Sequence, residues 1–185
     1  MSVARGRRGT GAVPSRAVNV LLATDADWLV KDVVAALGAP DTSFTVCSDG
    51  RDVAGTVRSK LGAGDAIDVA IFDLQVGSMG GMAVTMSMRL DQSSGRLPHV
   101  PVLMLLDRVA DVHLAKRSGA DGWLVKPLDP LRLRRAVRAV VRGDTYREGL
   151  VDGRRGVQPT TAGNVEVRDA GVEAGEADMV AAPAG

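Results

Sequence analysis

Four polar residues follow short apolar runs in this 185-residue sequence: Thr24 and Asp25 after Val18–Ala23, Asp73 after Val69–Phe72, and Lys126 after Trp123–Val125. Leu106 and Asp107 close a further run, Val102–Leu106. Two carboxylates and an ammonium, if brought together, make a site for a cation and a phosphoryl group. Carboxylate oxygens are the hard ligands that Mg²⁺ takes. An aspartate can act as nucleophile and form an acyl phosphate, and a nearby lysine supplies a point charge for the added phosphate. The plainer alternative stands beside this one. An aspartate at a strand end can be a helix cap or turn residue, and a lysine before proline can be a solvated loop cation. Whether the three converge depends on the elements that carry them.

Those elements alternate. Val18–Ala23 reads as a strand, and Val30, Val33, Val34 and Leu37 then recur at helical spacing until Gly38 and Pro40. Phe44–Cys47 is a second strand, followed by a helix through Val53, Val57 and Leu61. Val69–Phe72 leads to Asp73, a Gly-rich loop and a helix over Met82–Leu90. Val102–Leu106 precedes a helical stretch that Gly119 ends after Ser118. Trp123–Val125 is the fifth strand. Asp129-Pro130 then supplies an N-cap and a first-turn proline for a helix with an apolar stripe of Leu131, Leu133, Val137, Val140 and Val141. Apolar strands separated by amphipathic helices predict an α/β fold, a doubly wound, five-stranded parallel sheet covered on both faces. Ligands of such sheets gather at the carboxyl ends of the strands, where all four polar residues fall.

Composition narrows the function. The formal charge is +1, from 23 basic and 22 acidic residues, and aromatic residues make up 3 %. Neither suits a general nucleic-acid binder or a base-stacking surface. One cysteine and two histidines provide neither a disulfide nor a zinc site and fit a reducing, cytoplasmic setting. Apolar runs of about seven residues fall well short of the roughly 18 a membrane helix needs, and no leader is expected behind Arg5, Arg7, Arg8 and Arg16. Residues 1–16 read as a flexible basic arm, 17–142 as the domain, and 143–185 as a mostly disordered acidic tail rich in Gly and Ala. Arg132, Arg134, Arg135, Arg138 and Arg142 read first as the solvated face of the last helix and second as a partner surface.

The segments VLLATDAD (20–27), DVAIFDLQVGSMGG (68–81), PVLMLL (101–106) and GADGWLVKPLDP (119–130) resemble the receiver domain of bacterial two-component response regulators. The resemblance implies a flavodoxin-like receiver fold with Asp73 as acceptor of a phosphoryl group from a histidine kinase or phosphotransfer protein. It implies Mg²⁺ held by Asp25, Asp73 and the main-chain carbonyl of Gln75. Lys126 corresponds to the lysine that pairs with the acceptor and then with the phosphate. Pro127 follows it where a cis bond is usual, which an X–Pro amide tolerates.

Three positions depart from that pattern. Thr24 stands where the family has the first acid of a pair, so weaker Mg²⁺ binding is expected. Leu106 replaces the Ser or Thr that bonds the phosphoryl oxygen, and Trp123 occupies the aromatic switch position. Asp107 brings a charge near the phosphate or caps the next helix.

The resulting expectation is an atypical, stand-alone receiver with no enzymatic turnover of its own. It would signal through a downstream protein, or as a homodimer, on the face from the fourth strand to the last helix, without membrane or direct nucleic-acid contact. The alternative is a phosphorylation-independent scaffold, which Thr24 and Leu106 favour. A phosphatase of the haloacid-dehalogenase type would need an aspartate where Gln75 stands.

Overall fold

The computed structural model describes residues 18–148. Six parallel strands, β1 (Val18–Ala23), β2 (Thr42–Cys47), β3 (Val69–Asp73), β4 (Val102–Leu106), β5 (Gly122–Val125) and β6 (Tyr146–Arg147), lie in the order β2-β1-β3-β4-β5-β6. Between them run α1 (Asp27–Leu37), α2 (Val53–Gly62), α3 (Gly81–Ser93), α4 (Val112–Ser118) and α5 (Pro130–Val141). The five expected strands and five helices are all present in the expected order.

The alternation of side chains along each strand divides the core. Val20, Leu22, Ile71, Leu103, Leu105 and Leu124 face α1 and α5. Leu21, Ala23, Ala70, Phe72 and Val102 face α2 and α3, while Met104, Leu106 and Trp123 pack against α4. A buried Val, Leu or Phe contributes about 1.5–3 kcal/mol. Both faces are apolar, so a slip by one residue would not expose the strands. It would move Asp73, at the end of β3, away from the other strand ends.

Three expectations need correction. In α1 the inward residues are Leu29, Val33 and Ala36, whereas Val34 is 38 % exposed. In α5 the buried face is Leu133, Ala136, Val137, Ala139 and Val140, and Leu131, 61 % exposed, and Val141 point outward. Both errors come from weighting bulky residues and ignoring alanine, which packs where helix and sheet approach closely. The sheet also gains β6 beyond residue 142, because Tyr146 inserts into the cluster between α5 and the strands. The arm at 1–16 and the tail from 149 lie outside the described residues.

The N-cap of α5 is as expected: the Asp129 side chain accepts from the Arg132 N–H at 2.9 Å, with Pro130 at the first helical position. Gly119, at φ 76°, ends α4 in the left-handed conformation open to glycine. Of the α5 arginines, Arg134 donates to the Ala36 carbonyl at 2.5 Å and Arg142 pairs with Asp144 at 3.4 Å. Among the described residues, no helix is long and apolar enough to cross a membrane.

Candidate functional site

The carboxyl ends of β1, β3, β4 and β5 meet around one carboxylate. Asp73 is 2 % exposed, and both its oxygens are engaged. Oδ1 accepts from the Lys126 ammonium at 2.7 Å and from the Gln75 N–H at 3.2 Å. Oδ2 accepts from the Thr24 hydroxyl at 3.1 Å, and that same hydroxyl oxygen accepts from the Ala26 N–H at 3.2 Å. The start of α3 crowds the same strand end, since a Cβ on Gly81 would run into the Asp73 carbonyl.

Lys126 bridges two carboxylates, because its ammonium also lies 3.0 Å from Asp107 Oδ1. Burial alone would push the lysine down. The hydrogen bonds and charges of Asp73 and Asp107 outweigh that cost and hold it above its ordinary value. The main chain is anchored by the Lys126 N–H on the Leu106 carbonyl at 2.8 Å, and the Lys126–Pro127 bond is cis. The ring of Trp28, a 53 % exposed residue, sits 5.8 Å from the ammonium.

None of the three strand-end aspartates caps a helix. Ala26 stands at the N-cap of α1, Gly80 at that of α3, and Arg108 before the turn leading into α4. The cap reading of Asp107 is therefore replaced by its ion pair with Lys126.

Asp25 stands on the exposed rim and makes no bond to Asp73. Its Oδ2 would lie 3.2 Å from a Cβ at Gly77, so the β3–α3 loop passes close to this carboxylate. The loop is tied from behind. Ser78, at φ 61°, donates to Asp49 at 2.7 Å, and Arg51 donates to both. Hydrogen bonds from the Arg51 side chain and main chain, then from Ser78, hold the Asp49 carboxyl well below the usual carboxylate range.

Among the described residues, no three His, Cys, Asp or Glu side chains gather as a metal-ligating group. The donors expected from the sequence, Asp25, Asp73 and the Gln75 carbonyl, are all oxygens, two of them carboxylates. That chemistry fits Mg²⁺, which also keeps several waters.

Leu106 and Trp123 are brought together, but within the core. Both are buried against Met104, Leu74, Val112 and Ala115. The Trp123 indole N–H donates to the Glu148 carbonyl at 2.7 Å, and the Arg147 guanidinium lies 5.9 Å from its ring. Sequence reasoning missed Glu148 and Trp28. Glu148 is the first glutamate of the chain, but nothing near it signals a return to the sheet. Trp28 could have been noticed as an aromatic three residues after Asp25.

Comparison with known proteins agrees with this fold. Residues 20–138 match the family described as response regulator receiver domain. The nitrate/nitrite response regulator protein NarP of Escherichia coli is 35 % identical over 77 residues, which are 42 % of this chain and 34 % of that protein. The chain thus matches about a third of that regulator's length. Among solved structures, the Vibrio cholerae chemotaxis protein CheY4 aligns with a TM-score of 0.56 at 24 % identity, covering 66 % of this chain and 98 % of that one. The receiver domain of the sensor histidine kinase PA1611 from Pseudomonas aeruginosa has magnesium coordinated in its active-site cleft. It aligns with a TM-score of 0.54 at 18 % identity over 68 % of this chain and 98 % of its own. At these identities the two structures bear on the fold alone.

Proposed function

The chain belongs to the response regulator receiver family of two-component signalling, and from that premise we propose that Asp73 accepts a phosphoryl group from a phosphohistidine of a histidine kinase or phosphotransfer protein. The observation that carries this reading is the buried Asp73 carboxylate paired at 2.7 Å with Lys126 where four strands end. A receiver domain is a phosphoacceptor signalling domain and not a classical enzyme.

The two oxygens of Asp73 differ in their partners. Oδ1 accepts from an ammonium and an amide, whereas Oδ2 accepts from one neutral hydroxyl. A charged donor thus holds the Oδ1 edge and a neutral one the Oδ2 edge. In the transfer, a carboxylate oxygen forms a bond to phosphorus while the phosphorus–nitrogen bond breaks and its electron pair returns to the imidazole. Lys126 then turns its charge to the new phosphate. Asp25, Asp73 and the Gln75 carbonyl would hold Mg²⁺, which supplies neutralisation of the phosphoryl oxygens. Thr24 orients Oδ2 but adds no charge, so only two carboxylates would hold the cation. A phosphodonor of the histidine-kinase class supports a cytoplasmic setting for the domain.

Signalling would run through protein contacts on the surface from β4 to α5, where Val109 and Leu131 are exposed apolar residues, and that surface could also pair two copies. Intact mass measured after treatment with acetyl phosphate and Mg²⁺ tests the reading. One added phosphoryl group, absent in Asp73→Asn, is expected. No gain in a folded protein overturns it.

A second reading is favoured by one observation: Leu106, where a hydroxyl would meet the phosphate, is part of the core beside Trp123. In that reading the domain is a scaffold whose partner binding is independent of phosphorylation, and Asp73→Asn leaves binding unchanged.

A further inference from the structure

After α5 the chain turns back along the sheet, and Tyr146 and Arg147 pair with Gly122 and Trp123 of β5. Tyr146 is buried beside α5, and Glu148 then makes three kinds of contact with β5 and α5. Its carbonyl takes the Trp123 indole N–H at 2.7 Å. Its carboxylate takes the Val125 N–H at 3.1 Å and pairs with Arg132. The same guanidinium donates to the Val125 carbonyl at 3.2 Å. Both main-chain polar groups of Val125 are thereby held by one ion pair, and the next residue is Lys126.

We propose that Glu148 is a positioning residue for the Asp73–Lys126 pair: the docked strap, Asp144–Glu148, fixes the Val125 backbone and so the point from which the Lys126 side chain reaches Asp73. Lysine has a long stem that loses much rotamer freedom when ordered. An anchored origin lets the ammonium meet Asp73 and Asp107 without also ordering its own main chain. The coupling is reciprocal, so a change at Asp73 must alter strap docking. The inference rests on the reading of Asp73 as acceptor, but the clamp itself can be measured without phosphorylation.

The test uses the full chain and Glu148→Gln, which keeps the side-chain shape and removes the charge. Loss of charge-assisted bonds should speed hydrogen exchange at the Trp123 indole and the Val125 amide about tenfold. The Lys126 side chain should become more mobile, read as longer transverse relaxation of its ε-methylene at constant pH, and labelling by acetyl phosphate with Mg²⁺ should slow severalfold. Asp73→Asn should speed exchange at the Trp123 indole. Faster exchange with unchanged Lys126 ε-methylene relaxation overturns the positioning role, as does exchange that Glu148→Gln leaves unchanged. An Asp73→Asn protein with wild-type indole exchange overturns the coupling. If the wild-type chain takes no label, the acceptor role fails, and the Lys126 relaxation still decides the clamp. Should Glu148→Gln fail to fold, Arg132→Lys removes the two-pronged contact while keeping the charge, and the same shifts are expected.

Discussion

The Thr24 hydroxyl donates to Asp73 Oδ2 at 3.1 Å, at a position where a second carboxylate would repel it. Restoring an acid should therefore have two opposite effects. Thr24→Asp is expected to tighten Mg²⁺ binding by about tenfold, on the order of one added charge contact at 1.4 kcal/mol. It should also destabilise the metal-free domain, because two carboxylates then share one buried edge. A Mg²⁺ titration followed by tryptophan fluorescence, alongside urea unfolding without metal, measures both. Unchanged affinity would mean that position 24 does not face the cation.

Asp107 competes with Asp73 for Lys126, at 3.0 and 2.7 Å. Its side chain is 39 % exposed, so its field is partly screened by salt. Asp107→Asn should speed labelling by an anionic small donor by about 2–5-fold at low ionic strength, since an exposed pair is worth roughly 1 kcal/mol or less. The gain should shrink as salt is raised. A rate that is the same in both proteins at every salt concentration would remove Asp107 from the site's electrostatics.

The raised Lys126 pKa makes a statement about alkaline stability. The charged lysine is favoured in the folded state, so its contribution is complete below the unfolded value, about 10.4, and is lost as pH climbs through the higher folded value. Urea midpoints measured from pH 8 upward should fall in that alkaline window. The fall should be smaller in Asp73→Asn, where one of the two partners is gone. Identical profiles would contradict the pairing.

Leu106→Thr would supply the hydroxyl that the family carries at this place, but into an apolar cluster. Leu106 is fully buried beside Trp123, Met104 and Val112. The lost methyl and the buried hydroxyl should cost about 2–4 kcal/mol. Chemical unfolding reads this directly, and a cost under about 1 kcal/mol would show that the cluster can re-form around a polar group.

The order of elements was legible because β1, β3, β4 and β5 are nearly continuous apolar runs and each break carries Gly, Pro or Asp. Asp73 and Lys126 were legible for the same reason, as polar residues closing apolar runs. What escaped depends on contacts that local pattern does not encode. The Asp107–Lys126 pair joins residues 19 apart, and the Trp123–Glu148 bond spans 25. The strand at Tyr146–Arg147 has two residues, too few for a period, and it sits where acids and glycines begin to dominate. Small residues misled as well: Ala36, Ala136 and Ala139 lie inside while Val34, Leu131 and Val141 face out.

Tyr146 changes where this domain can be cut. A fragment ending at Arg142, the border that composition suggests, would lose a nearly buried aromatic side chain, worth about 1.5–3 kcal/mol of apolar burial. It would also leave the ladder groups of Gly122 and Trp123 without their neighbour, an open border to which other chains can add. Such a fragment would be prone to self-association unrelated to signalling, whereas one carried through Glu148 keeps Gly122 and Trp123 paired with β6.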